Sequence, residues 1–136
     1  MWGFLKKVVS RVGRRPVVVT LSADDEGVVI GRSDREGACS FRWGEVEEIR
    51  TFKLDLWTVD SIRLAFRVAD RWYEVGEEDA GFMPLVERMQ ATFPSVPEGW
   101  YLEVMFPAFE ANPRVLWERG ASAAAGVEPD SGPAAR

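Results

Sequence analysis

The chain has 136 residues with a hydrophobic fraction of 46%, which is enough for one folded domain with its own core. Its net charge is −5, and an acidic body without a basic stripe argues against nucleic-acid binding. Histidine is absent and Cys39 is the only cysteine, so the sequence lacks the usual general base and the usual zinc ligands. We therefore predict a non-catalytic protein with no metal and no cofactor. A lone cysteine also favours a cytoplasmic location.

Residues 1–15 have the pattern of a short amphipathic helix with strong positive charge. They contain five cations and no acid, which leaves the rest of the chain with a net charge of −10. Their apolar residues recur at helical spacing on the side opposite the cations. Two placements are open: the helix packs on the domain's own sheet, or it lies on an anionic membrane surface. The residues that would contact a membrane are Trp2, Leu5, Lys6, Lys7, Arg11, Arg14 and Arg15.

After residue 15 the pattern changes to the period of two that is typical of β-strands. Alternating segments are separated by the turn-forming clusters ADDEG and SDREG. Within SIRLAFRV, residues Ile62, Leu64 and Phe66 share one face, and Ala69-Asp70 forms the next tight turn. This alternation predicts antiparallel strands with one buried and one solvated face.

The segment KLDLWTVDSIRLAF raises the question of an acid pair, because Asp55 and Asp60 flank Trp57. A paired-carboxylate enzyme needs both acids in a cleft, usually on separated segments. Here both border a predicted hairpin turn, and aspartate favours turns by bonding to its own backbone. We therefore predict that Asp55 and Asp60 are turn-forming residues and not catalytic acids. Trp57 either folds back over the core or is exposed as an anchor for a partner.

A second acidic group, Glu45, Glu47 and Glu48, alternates with apolar residues and is predicted to lie on a solvated strand edge. Lys53, further along the same strand, is predicted to be solvated or paired with a glutamate. Acidic surfaces suit basic protein partners. The predicted partner-binding residues are therefore Trp57, Asp55, Asp60, Glu45, Glu47 and Glu48.

The C-terminal part is predicted to be helical and to pack on the sheet. Asp79 is a candidate N-cap, and Pro84 fits a first helical turn. The apolar stripe that follows has helical spacing and consists of Phe82, Leu85, Val86, Met89 and Phe93. WYLEVMF continues with helical or mixed character, and FEANPRVLWER closes the ordered part. We predict a basic helix at 1–15, one α+β domain at 16–119 and a disordered tail at 120–136.

The order of these segments resembles bacterial pleckstrin-homology-like domains, on the residues Trp43, Val46 and Ile49, then SIRLAF, RWYEV and FMPLVERM. The resemblance implies a rolled antiparallel sheet closed by a helix. It does not imply binding of lipid headgroups, because the first hairpin loop, Ala23–Gly27, is acidic where the lipid-binding members carry cations. The chain also resembles a small bacterial protein group with a W…PAF…N motif, here Trp100, Pro107-Ala108-Phe109 and Asn112, which implies no activity.

These observations together predict an α+β fold with a curved antiparallel sheet of five to seven strands, an N-terminal amphipathic helix and C-terminal helices on one face. The expected function is non-catalytic protein binding through an acidic surface, for example as an antidote that neutralises a basic toxin. The alternative is a peripheral membrane module anchored by residues 1–15. The oligomeric state does not follow from the sequence.

Overall fold

The computed structural model describes residues 16–55, 59–106 and 111–121. The α+β class is confirmed. The described elements are β1 (Val19–Ala23), β2 (Gly27–Arg32), β3 (Ala38–Arg42), β4 (Val46–Asp55), β5 (Asp60–Val68), β6 (Arg71–Gly76), α1 (Phe82–Thr92), α2 (Trp100–Met105) and β7 (Arg114–Glu118). The helix predicted for residues 1–15 and nearly all of the predicted tail lie outside the described residues.

The strands form two antiparallel sheets, where the sequence predicts a single curved one. Their orders are β1-β2-β3 and β6-β5-β4-β7. Between β3 and β4 the chain makes a single 3-10 turn, Trp43–Glu45, in which the Glu45 carboxylate accepts a hydrogen bond from the backbone N–H of Arg42 at 3.0 Å. This turn redirects the chain, so that β4 pairs with β5 and β7.

The last strand, β7, joins the four-stranded sheet through a long-range pairing with β4. It makes β4 an internal strand of that sheet. The prediction of a strand edge at Glu45, Glu47 and Glu48 is therefore wrong. Its physical cause is a pairing between segments far apart in sequence, which local periodicity does not encode.

The core lies between the two sheets and beneath the helices. On β5 the predicted inward residues Ile62, Leu64 and Phe66 are all buried, which confirms the hairpin's inner face. The outer face is less solvated than predicted, because Ser61 and Ala65 are buried as well. Ser61 Oγ donates a hydrogen bond to the Glu78 carboxylate at 2.6 Å, so the chain after β6 folds over this end of β5.

Both helices pack on the sheets, α1 against β1 and α2 against β4 and β5. The stripe predicted for α1 is buried from Phe82 to Phe93, and the helix ends at Thr92 just before Pro94. The N-cap prediction is wrong, because α1 begins after Gly81 and not at Asp79. The Asp79 carboxylate instead accepts a hydrogen bond from Gly76 N at 2.8 Å, which holds the turn after β6.

Candidate functional site

The open end of the β4–β5 hairpin brings two carboxylates face to face. Asp55 ends β4, Asp60 begins β5, and the two residues are direct cross-strand partners. Like charges in this position destabilise a sheet unless a cation compensates them. The two aspartates therefore border the turn, as predicted. Trp57, the predicted anchor, lies outside the described residues.

Lys53 supplies the compensating charge, and it comes from inside the domain. It follows Ile49 and Thr51 at intervals of two, so its side chain is on the core face of β4 and only 2% exposed. Its Nζ lies 3.4 Å from Asp60 Oδ2 and donates a hydrogen bond to the Met105 carbonyl at 2.8 Å. The prediction that Lys53 is solvated is wrong; its side chain is buried and lies beside an aspartate, whereas the other predicted option was pairing with a glutamate.

Helix α2 exposes two large apolar side chains at the same end of the domain. Leu102 is 61% exposed and Phe106, directly after the helix, is 65% exposed. They are four residues apart, which places them along one side of α2. We call Leu102 and Phe106 the α2 edge. At the hairpin, Val59 is 58% exposed.

The Lys53 ammonium shows that the hairpin and the α2 edge are neighbours. It contacts Asp60, the residue after Val59, and Met105, the residue before Phe106. Both exposed apolar groups therefore lie within a few residues of one buried ammonium. We call Asp55, Val59 and Asp60 together with the α2 edge the hairpin–α2 surface.

Polar contacts near the start and near the end of α2 fix its position. Asn112 Nδ2 donates hydrogen bonds to the carbonyl oxygens of Glu103 at 2.7 Å and Phe106 at 3.1 Å. On the other side, Tyr101 Oη donates to the Glu77 carboxylate at 2.5 Å. Burial and this hydrogen bond raise the pKa of Tyr101 to about 12. The α2 edge is thus presented by a helix that is held in place at both ends.

The order of residues in WYLEVMF indicates that some apolar side chains of α2 must be exposed. WYLEVMF has a single charged residue, Glu103, so a helix formed by it is apolar around most of its circumference. A six-residue helix that packs on one side buries only that side, here Trp100 and Val104. The remaining apolar residues must stay at the surface. Which of them do so depends on the orientation of α2 against the sheet.

The second predicted acidic group lies at the other end of β4. Glu48 is buried on the outer face, where its carboxylate pairs with Arg50 Nε at 2.6 Å and Arg67 Nε at 3.4 Å. Glu45 caps the 3-10 turn, and Glu47 lies 3.7 Å from Arg119 Nε. Seven residues of strand separate Glu48, the member of this group nearest the hairpin, from Asp55, or about 23 Å. The five described residues of the predicted binding set therefore lie in two groups toward opposite ends of β4.

The residues of the predicted membrane contact, from Trp2 to Arg15, lie outside the described residues. Within the described ranges, no helix is both long enough and apolar enough to cross a membrane. The same ranges contain no group of three or more Cys, Asp and Glu residues arranged to hold a metal ion.

No protein-family model, curated protein or solved structure matches this chain. The resemblance to pleckstrin-homology-like domains therefore stays a prediction. The hairpin–α2 surface is the candidate functional site because it combines exposed apolar side chains with carboxylates on a fixed backbone.

Proposed function

We propose that the protein is a non-catalytic protein-binding module that contacts its partner through the hairpin–α2 surface. The observation that carries this proposal is the exposure of Leu102 and Phe106 on a helix that polar contacts hold in place. Large apolar side chains exposed together at one site are typical anchors of protein interfaces. Their entropy cost on binding is small because the helix that carries them is already ordered.

The chemistry of this surface indicates an apolar partner patch with basic residues around it. Asp55 is exposed at the hairpin, and Glu103 is exposed on α2, where it pairs with Arg114 at 2.8 Å. Carboxylates at the rim of an interface steer association with cationic partners and affect the association rate more than the affinity. An antidote that neutralises a basic toxin is one protein class that fits this description.

The position of Asp55 and Asp60 supports binding over acid–base catalysis at the hairpin. A paired-carboxylate enzyme needs both acids in a cleft, usually on separated segments. Asp55 and Asp60 are instead direct cross-strand partners at the end of one hairpin, where the Lys53 ammonium lies 3.4 Å from Asp60 Oδ2. The cation also offsets repulsion between Asp55 and Asp60, which suits a rigid surface.

The proposal is tested by affinity capture with the full chain as bait and identification of the captured proteins. The discriminating variant is Leu102→Glu, and its matched control is Met83→Glu, which changes an exposed apolar residue (54%) in the first turn of α1. We expect a partner that the wild-type chain and Met83→Glu capture and that Leu102→Glu loses. A partner set that Leu102→Glu retains unchanged would contradict the proposed surface.

A further inference from the structure

We propose that residues 1–15 pack on the α2 edge of the same molecule and cover it until a partner displaces them. The covering role rests on the function proposed above, whereas the packing itself does not. The inference combines three features: where the segment joins the domain, the charge around α2, and the uncovered apolar side of that helix.

The segment joins the domain beside the turn between β6 and α1, and this turn contacts α2. At the start of β1, the Val19 carbonyl accepts a hydrogen bond from Ala80 N at 3.3 Å, and Leu21 N donates to the Ala80 carbonyl at 2.7 Å. Three residues before Ala80, the Glu77 carboxylate accepts the hydrogen bond from Tyr101 of α2. The start of β1, three residues after residue 16, is therefore connected to α2 through the short turn from Glu77 to Ala80.

The segment is long enough to extend along α2. As a helix, 15 residues span about 22 Å, and α2 with its six residues spans about 9 Å. A segment of this length, joined through residues 16–18 to the strand that pairs with Ala80, is long enough to run along the exposed side of α2. Its apolar residues, spaced for one helical face, would then meet Leu102 and Phe106.

The charges around α2 complement those of the segment. Glu77, Glu98 and Glu103 lie beside or on the helix, and among the described residues only Glu103 of these three pairs with a cation, Arg114. Residues 1–15 bring five cations and no acid. The same segment is poorly suited to the outer face of the four-stranded sheet, where Arg50 and other arginines already neutralise the glutamates.

The test measures proximity in the full-length free protein by paramagnetic relaxation. A nitroxide is attached to a cysteine introduced by Ser95→Cys, in a Cys39→Ser background, because Ser95 is exposed and lies in the loop before α2. Amide intensities of residues 2–12 are compared before and after reduction of the nitroxide. We expect a strong loss of intensity that reduction restores, and a weaker loss as salt is added, because screening weakens the charge contacts.

Two further variants and one control distinguish packing on α2 from the proximity that the covalent connection to the domain would give by itself. Leu102→Asp removes the apolar contact, and Met83→Asp is its matched control on α1; we expect only the first to restore the amide intensities. Lys6→Gln combined with Lys7→Gln removes two of the five cations of the segment and should also restore them. If the losses are equal in wild type, Leu102→Asp and the lysine variant, the segment does not pack on α2 and the inference is overturned.

A membrane as the alternative occupant gives a different result. If the amide losses are absent in the free protein, and residues 1–15 broaden only on addition of vesicles that contain anionic lipid, the segment binds membranes and not α2. These measurements need no partner, so their failure leaves the proposed function standing. Conversely, if packing is confirmed, Lys6→Gln with Lys7→Gln should increase partner capture; a partner lost only in Leu102→Glu would still support the binding surface.

Discussion

The Lys53 ammonium lies 3.4 Å from the Asp60 carboxylate while it donates a hydrogen bond to the Met105 carbonyl. One buried cation thus joins β4, β5 and the C-terminal end of α2. A cation at this end of a helix also interacts favourably with the helix dipole. The relationship matters for function because the hairpin and the α2 edge, the two parts of the candidate surface, meet at this ammonium.

Replacing Lys53 by methionine should destabilise the domain by about 2–3 kcal/mol, below the range for a fully buried pair because Asp60 is partly exposed. The variant keeps the apolar stem but leaves Asp60 opposite Asp55 without this cation. Urea unfolding measures the effect. Arg35→Met, in an exposed turn, is the control and should change stability by less than about 0.5 kcal/mol. A Lys53→Met protein as stable as the control would show that the contact is dispensable.

Replacing Ala69 by glycine should stabilise the protein by about 1 kcal/mol. Ala69 has a φ of 55° in the β5–β6 turn, a left-handed conformation in which its Cβ is strained. Glycine removes this strain, although it adds entropy to the unfolded chain. The unfolding midpoint in urea reports the change. Ala38→Gly, on strand β3 with a negative φ, should destabilise instead, and an equal effect of both substitutions would contradict the strain argument.

The unfolding free energy should fall between about pH 10 and pH 12, and Tyr101→Phe should make this fall shallower. The folded protein raises the pKa of Tyr101 to about 12, through burial and the hydrogen bond to Glu77, whereas an unfolded tyrosine titrates near 10. In this window the folded state holds more protons than the unfolded state, so stability decreases as pH rises. Chemical unfolding at several pH values measures the slope; identical slopes in both proteins would rule out Tyr101 as the cause.

Glu48→Ala should destabilise the domain by about 1–3 kcal/mol, because it leaves Arg50 and Arg67 without their shared buried carboxylate. Glu47→Ala is a matched control one residue away, since Glu47 is half-exposed and lies 3.7 Å from Arg119. It should cost less than about 0.5 kcal/mol. Thermal unfolding of both variants distinguishes a structural glutamate from a surface one, and similar costs would contradict this assignment.

Much of the local structure follows from the sequence by itself. Alternation with a period of two predicted six of the strands and the inner face of β5, because a strand that packs on one side must alternate its polarity. The spacing of Phe82, Leu85, Val86 and Met89 predicted α1 in the same way, and Pro94 predicted its end. Each of these features depends on neighbours within a few residues along the chain.

Other features depend on contacts between residues that are far apart in the sequence, and only the tertiary structure decided these. The pairing of β7 with β4 made β4 an internal strand, so that Glu47 and Glu48 do not lie on a sheet edge. Lys53 is in register with the buried residues of β4, but its burial is tolerated only because Asp60 and the end of α2 supply polar partners. The α2 edge is exposed for the same reason: WYLEVMF specifies an apolar helix, and its packing against the sheet decides which side remains at the surface.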